Sequence, residues 1–180
     1  MVTKIKGLSP NIRAATEADL PGIFAIYDEE VRHGTATFDT EPKSAAERRE
    51  WLRNDGGGRY PILVAEIDGA VAGWARLYAW SPRPAYDRTA ENAVYVSRDH
   101  RGRGVGRALL EEIIRLAPGR GVHVLLARIV EGNPASLALH EALGYRTIGV
   151  MRGVGEKFGR VLDVRLLDRQ LSQVEPAGRA

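Results

Sequence analysis

The chain has 180 residues and a mass of 19.7 kDa, with 44% hydrophobic and 27% charged residues, the make-up of one ordinary globular domain large enough to bury a core unaided. Its 26 basic and 23 acidic residues leave a net charge of only +3 and it holds no cysteine, which argues against wholesale nucleic-acid binding and excludes a disulfide framework, a thiolate metal site and a cysteine nucleophile. No apolar run approaches the roughly 20 residues of a membrane span, and Met1–Gly7 lacks the apolar core of a secretion signal, so a cytoplasmic protein with no membrane partner is expected.

Residues 11–171 hold no repeat, low-complexity tract or linker and are expected to form a single domain; the ends, 1–10 and 172–180, lack periodic apolar residues and are expected to fray. Asn11–Ala15 reads as a short strand. Thr16 then offers an N-cap, with Glu17 and Asp19 in the first turn, and Leu20, Ile23, Phe24, Ile26, Tyr27 and Val31 recur at helical spacing to about Arg32. Ser44 caps a second helix that runs through Trp51 and Leu52 and stops at Gly56–Gly58. Ile62–Ile67, the Asp68–Gly69 turn and Ala70–Tyr78 follow the pattern of an antiparallel hairpin. Two prolines in Trp80–Tyr86 rule out a central strand, leaving a loop with aromatic and cationic content. Asn92–Val96 is the next strand, followed by a glycine-rich turn and a helix from about Gly104 to Leu116. Val122–Val130 is the most apolar strand and is expected to lie buried and central. Pro134 fits the first turn of a helix to Ala142 that Gly144 stops, and Arg146–Met151 and Val161–Leu167 are the last strands. The order βααβββαβαββ describes an α/β protein with a mixed sheet.

The charge is unevenly placed. Residues 98–128 carry seven arginines against Asp99, Glu111 and Glu112, a local +4, while the rest of the chain sums to −1. So compact a basic patch suits one small polyanion better than a nucleic-acid track. Within it, Arg101-Gly102-Arg103-Gly104-Val105-Gly106-Arg107 joins a strand to a helix through three alternate glycines, a turn that bares backbone N–H groups at a helix N-terminus where the macrodipole favours an anion. Arg107 stands where a dinucleotide fingerprint needs its third glycine, and no Gly-Lys-Ser/Thr follows, so neither a Rossmann nor a P-loop reading holds.

Arg101-x-x-Gly104-x-Gly106 after a Val-x-Val strand resembles the acyl-CoA-binding signature of the GCN5-related N-acetyltransferase (GNAT) superfamily, and Asn133–Tyr145 resembles its second cofactor motif. The resemblance covers residues 11–167 and implies the GNAT fold: a mostly antiparallel sheet, flanked by helices, splayed between Asn92–Val96 and Val122–Val130 to admit acetyl-CoA. Val94, Tyr95 and Val96 would line the pantetheine arm, with amides at Val94 and Val96 pairing as an added strand would. Arg101, Gly102, Arg103, Gly104, Val105, Gly106 and Arg107 would take the pyrophosphate, a Cβ at 104 or 106 pushing the anion away, while Asn133 and Ser136 would meet the arm from the second motif. No metal is implied.

Thr35–Pro42, Arg59–Glu66, Arg83–Tyr86, Thr89–Glu91 and Gly155–Arg160 narrow the likeness to phosphinothricin and methionine sulfoximine N-acetyltransferases, which acetylate the α-amine of small glutamate-like amino acids. Two positions depart from that pattern: Val161 replaces a tryptophan, and Glu156 stands where Tyr, Gln or Arg is common, which alters the substrate wall or a dimer contact. The likeness implies Glu91 as the base that takes the proton of the amine, directly or through a water, and His140 as an acid or base at the departing sulfur. The backbone N–H of Val96 would meet the oxyanion. Arg83 would clamp a substrate carboxylate, with Phe38, Tyr86 and Arg76 around it. A small amino-acid-like substrate and a homodimer follow. Three other readings stay open: acetylation of another amine or a protein N-terminus, a non-catalytic acyl-CoA sensor, and a nucleic-acid binder built on the arginine window.

Overall fold

The computed structural model describes residues 9–56 and 58–171; the expected fraying of the two ends falls almost wholly outside them. Seven strands form one sheet in the order β1-β2-β3-β4-β5-β7-β6, where β1 is Asn11–Ala14, β2 Ile62–Ile67, β3 Ala70–Ala79, β4 Thr89–Val96, β5 Val124–Val130, β6 Arg146–Lys157 and β7 Arg160–Gln170. Four helices flank it: α1 Leu20–His33, α2 Ala45–Trp51, α3 Val105–Leu116 and α4 Pro134–Ala142. The mixed, mostly antiparallel sheet with flanking helices expected from the motifs is what forms, and among the described residues only β4 with β5 is a parallel pair.

Local chemistry explains most boundaries. Ser44 and Glu47 make a reciprocal cap at α2, Glu47 Oε2 accepting from Ser44 N at 2.7 Å, and the helix widens after Trp51 into a looser turn ending at Gly56. Asp68 (φ +51) and Gly69 (φ +77) both adopt the left-handed backbone that a two-residue hairpin turn demands. In α3 the residues Val105, Leu109, Leu110 and Ile113 fall on one stripe and pack on Leu63, Ala75, Leu77, Leu125 and Ala127 of the sheet. On the opposite face α1 seats Leu20, Ile23 and Phe24 against Val64 and Trp74.

The larger differences from expectation lie in β4 to β7. β4 begins at Thr89 because Thr89–Glu91 is the part that pairs with β5. β5 begins two residues late: Val122 N is taken by Ala117 O in the turn that follows α3, and His123 N by Arg88 O, the residue just before β4. β6 and β7 form one long hairpin closed at Phe158–Gly159, where separate shorter strands were expected. Irregular pairing at Thr147/Gly149 and Met151/Gly155 inserts extra residues into β6, which bends the hairpin and hides its alternation from the sequence.

Candidate functional site

Three pairs, Thr89↔Val124, Ala90↔Leu125 and Glu91↔Leu126, are all that join β4 to β5. Past Glu91 the strands part, β4 running on to Val96 and β5 to Val130, so the sheet carries a fork. The bond from Ser97 N to Ala72 O sets the phase of the β3–β4 ladder: Glu91, Ala93 and Tyr95 turn their backbone groups to β3, whereas Val94 and Val96 turn theirs into the fork. An extended amide chain laid there would meet the N–H and C=O groups of Val94 and the N–H of Val96, as an added strand does, the Val96 carbonyl already accepting from Arg101 Nε.

The glycine turn closes the wide end of the fork. Gly102 (φ +71) and Gly104 (φ +82) need the left-handed region, and a Cβ at either would meet nothing within 4 Å, so the space beside them is open. At Gly106 packing also demands a glycine, beside the anion clearance expected there. A Cβ there would come within 3.3 Å of Leu139 and 3.4 Å of Val96, so this glycine sets how closely α3 approaches α4 and β4. Val105 is buried in the core and offers the turn only its backbone.

Of the three arginines expected at the phosphates, two are already engaged. Arg101 donates to Glu30 Oε1 at 2.7 Å and, through Nε, to Val96 O at 3.2 Å, tying the turn to α1. Arg107 pairs with Glu111 along α3 at 2.8 Å. Arg103 is exposed and has no side-chain partner among the described residues. Tyr95 also differs from expectation: its ring stacks on Trp74 at 4.8 Å, away from the fork, and its hydroxyl donates to Ala36 O. Asn133 caps α4, its Oδ1 accepting from Ser136 N at 3.1 Å, so both residues are spent at least in part on the helix start.

Strand alternation places Glu91 and Asn92 on opposite faces of β4. Glu91, 3% exposed, lies on the α1 face beside Tyr78, its β3 partner, and its Oε1 accepts from Arg128 Nε at 2.7 Å. The Tyr78 hydroxyl stands against this pair, and burial together with the Glu91 charge pushes it up. Arg128 follows Leu126 by two residues and so faces the same way, just past the last β4–β5 pair, with its guanidinium near the Trp80 ring.

On the other face, Tyr145 Oη donates to Asn92 Oδ1 at 2.8 Å, Asn92 Nδ2 meets His140 Nε2 at 3.0 Å, and His140 Nδ1 donates to Ser136 O at 2.8 Å. A carbonyl only accepts, so Nδ1 carries the proton and Nε2 offers its lone pair to the Asn92 amide. Burial pushes the His140 imidazole down, partly opposed by the Ser136 bond. An imidazolium would set a second N–H against the amide donor of Asn92. This arrangement therefore makes His140 a neutral brace behind the fork rather than the free acid or base expected at the sulfur.

The bent β6–β7 hairpin and the α1–α2 loop meet on the α1 side. Lys157, 4% exposed, donates to Glu30 O at 3.1 Å and to Thr37 O at 2.8 Å, and burial lowers its pKa. The Phe38 ring lies where a Cβ on Gly155 would stand, so Phe38 is a contact of the hairpin. Arg76 lies over Tyr78 at 4.4 Å and near Trp51, as much a packing element as a charge. Arg83 and Tyr86 are exposed in the loop between β3 and β4. Glu156 lines a cavity of about 320 Å³ with Thr40 and Phe158, and Val161 is 70% exposed, which puts both departures from the family pattern at the hairpin tip rather than in the fork.

Sequence reasoning missed Arg128, Asn92 and Lys157. Each left a signal: one arginine interrupting the most apolar strand, one asparagine at the head of the strand expected over 92–96, and a lysine in a motif that was read only for its likeness. Among the described residues no group of three or more His, Asp or Glu is placed to hold a metal, and no helix is long and apolar enough to cross a membrane.

Residues 23–145 match the model of the acetyltransferase (GNAT) family. The chain is 42% identical over 171 residues, 94% of its own length and 99% of the other, to an L-methionine sulfoximine/L-methionine sulfone acetyltransferase of Pseudomonas aeruginosa. It is 41% identical to a phosphinothricin N-acetyltransferase of Alcaligenes faecalis, over 89% of this chain and 82% of that one. A crystal structure of a GNAT superfamily phosphinothricin acetyltransferase from Sinorhizobium meliloti in complex with AcCoA superposes with a TM-score of 0.90 at 36% identity, covering 96% and 94% of the two chains.

Proposed function

The chain belongs to the acetyltransferase (GNAT) family, and from that premise we propose that it transfers the acetyl group of acetyl-CoA to the α-amine of a small amino acid of the methionine sulfoximine, methionine sulfone or phosphinothricin kind. The observation that carries this reading is the fork that opens at Glu91, with an open glycine turn at its wide end. A thioester lying in the fork supplies a carbonyl open to an amine. The chain's own residues do the rest. Val94 and Val96 hold the arm by its amides, and the Val96 N–H, whose neighbouring carbonyl is fixed by Arg101, is the donor for the oxyanion. Gly102–Gly106, with Arg103, take the diphosphate. Glu91 accepts a proton from the incoming ammonium; the neutral nitrogen then attacks the carbonyl, the C–N bond forms as the C–S bond breaks, and CoA leaves as the thiolate, which takes up the second proton lost by the nitrogen. Arg83, exposed in the loop before β4, draws an anionic substrate towards it. Holding amine and thioester together supplies more of the rate than either proton transfer, about 7–11 kcal/mol in well-oriented systems.

The test is a panel of L-amino-acid analogues assayed by CoA release, beside calorimetry with acetyl-CoA alone. Binding heat with acetyl-CoA and turnover concentrated on methionine sulfone, methionine sulfoximine or phosphinothricin is the expected result. Binding without turnover of any amine would leave a sensor, and turnover of peptides alone would move the substrate to protein N-termini.

The same reading extends to assembly as a homodimer. β6 is the outermost strand, and Ile148 (56%), Val154 (50%) and Val161 (70%) stand exposed on the hairpin it forms with β7. An open edge with apolar side chains is a surface that a second copy of the chain covers. Sedimentation should report about twice 19.7 kDa, and an Ile148→Glu/Val154→Glu double variant should sediment as the monomer. A wild-type monomer at micromolar concentration removes the dimer.

A further inference from the structure

We infer that Arg128 receives the α-carboxylate of the amino-acid substrate, so that Glu91 and Arg128 act as a two-point template for a zwitterion; this rests on the amino-acid reading above. The two side chains are joined by one bond of 2.7 Å, from Arg128 Nε to Glu91 Oε1. The α-amine and α-carboxylate of an amino acid share a single carbon, so an ammonium seated on the Glu91 carboxylate brings its own carboxylate against the neighbouring guanidinium. The charges pair in complementary order, ammonium to carboxylate and carboxylate to guanidinium.

Exposure divides the roles within the pair. The Glu91 side chain is 4% exposed and held in place, while that of Arg128 is 48% exposed, two residues beyond the last β4–β5 pair. Nε is spent on Glu91, and the terminal nitrogens form the second edge of the guanidinium, the edge that pairs with a carboxylate in bidentate fashion. Tyr78 and Trp80 flank the pair and restrict how the guanidinium turns.

The other arginines are less well placed. Arg101 and Arg107 are committed to Glu30 and Glu111. Arg76 is packed over Tyr78 and near Trp51. Arg83 lies in the loop outside the ladder, where it suits the far end of the substrate rather than the carbon that bears the amine. A ligand that presented an amine without an adjoining carboxylate would leave the exposed edge of Arg128 to water.

The experiment compares L-methionine sulfone with its α-carboxamide, measuring kcat/KM for each by CoA release in the wild-type enzyme, Arg128→Gln and Arg128→Lys. The wild type should prefer the acid by about tenfold to a hundredfold, the range expected for a charge-assisted contact. Arg128→Gln should abolish most of that preference through KM for the acid, and Arg128→Lys should restore part of it. Loss of a merely structural partner to Glu91, or a changed basicity of Glu91, slows acid and amide alike and leaves their ratio where it was. A ratio unmoved by Arg128→Gln in an enzyme that acetylates methionine sulfone overturns the inference alone. A ratio that moves with Arg83→Ala in its place also overturns it. A wild-type enzyme that acetylates no amino acid removes the amino-acid reading and this inference together.

Discussion

Glu91→Gln should lower kcat by about a hundredfold to ten-thousandfold, the usual contribution of a positioned base, while leaving acetyl-CoA binding and the melting temperature near those of the wild type. The glutamine keeps an oxygen for Arg128 Nε in the same buried place, so the architecture survives while the proton acceptor is gone. The residual rate stays well above that in free solution because the fork still holds both reactants. The loss should also shrink as the pH approaches the pKa of the amine itself, about 7.7–8.0 for a peptide α-amine and higher for a free amino acid, because the nucleophile then arrives deprotonated. CoA release at saturating substrates from pH 6 to 9.5, with calorimetry on acetyl-CoA, measures both halves of this result. A variant with undiminished kcat at pH 7 removes Glu91 from the chemistry.

The second large effect falls on stability. His140→Ala should destabilise the fold by about 3 kcal/mol, since it leaves a cavity and strands the Asn92 amide and the Ser136 carbonyl without their partner. For a chain of this size that lowers the melting temperature by roughly 6–12 °C. The imidazole has its folded pKa pushed below the unfolded value of about 6.5, so the unfolded chain takes up the proton first on acidification. The contribution of this group is whole above about pH 6.5 and is lost as the pH falls from there towards the lowered folded value. The slope is at most ~1.4 kcal/mol per pH unit. Urea unfolding of the wild type and His140→Ala between pH 5 and 8 should show the wild type losing stability to acid more steeply than the variant. Equal slopes would mean that His140 is not held neutral.

Much of the fold was legible because its elements follow simple periods. The stripe of α1, the Ser44 cap, the Asp68–Gly69 turn and the run of β5 each declare themselves within a dozen residues. The hairpin of β6 and β7 did not, because irregular pairing at Gly149 and Gly155 breaks the alternation and its edge is exposed apolar surface. The fork itself was expected only through resemblance: nothing in Thr89–Val96 says locally that pairing stops at Glu91. Glu91 and the glycine turn could be picked out as single residues. The Glu91–Arg128 pair and the Asn92–His140–Tyr145 chain could not, since each joins residues at least 37 positions apart that only the folded sheet brings together. The misplacement of Tyr95 and His140 has the same origin, in that a motif gives positions along the chain and not the directions of side chains.

The alternation of β4 carries one more consequence. Its odd positions carry the Glu91 carboxylate and its even ones the Asn92 amide, so lengthening or shortening this strand by a single residue would exchange the two at a stroke. Carboxylate and amide would each point into the other's surroundings, and both chemistry and folding would fail together. The connecting loop of residues 80–88 is the segment beside it that can absorb such a change. A one-residue insertion in the loop should therefore be tolerated far better than one within the strand, which a comparison of the melting temperatures of the two variants would check.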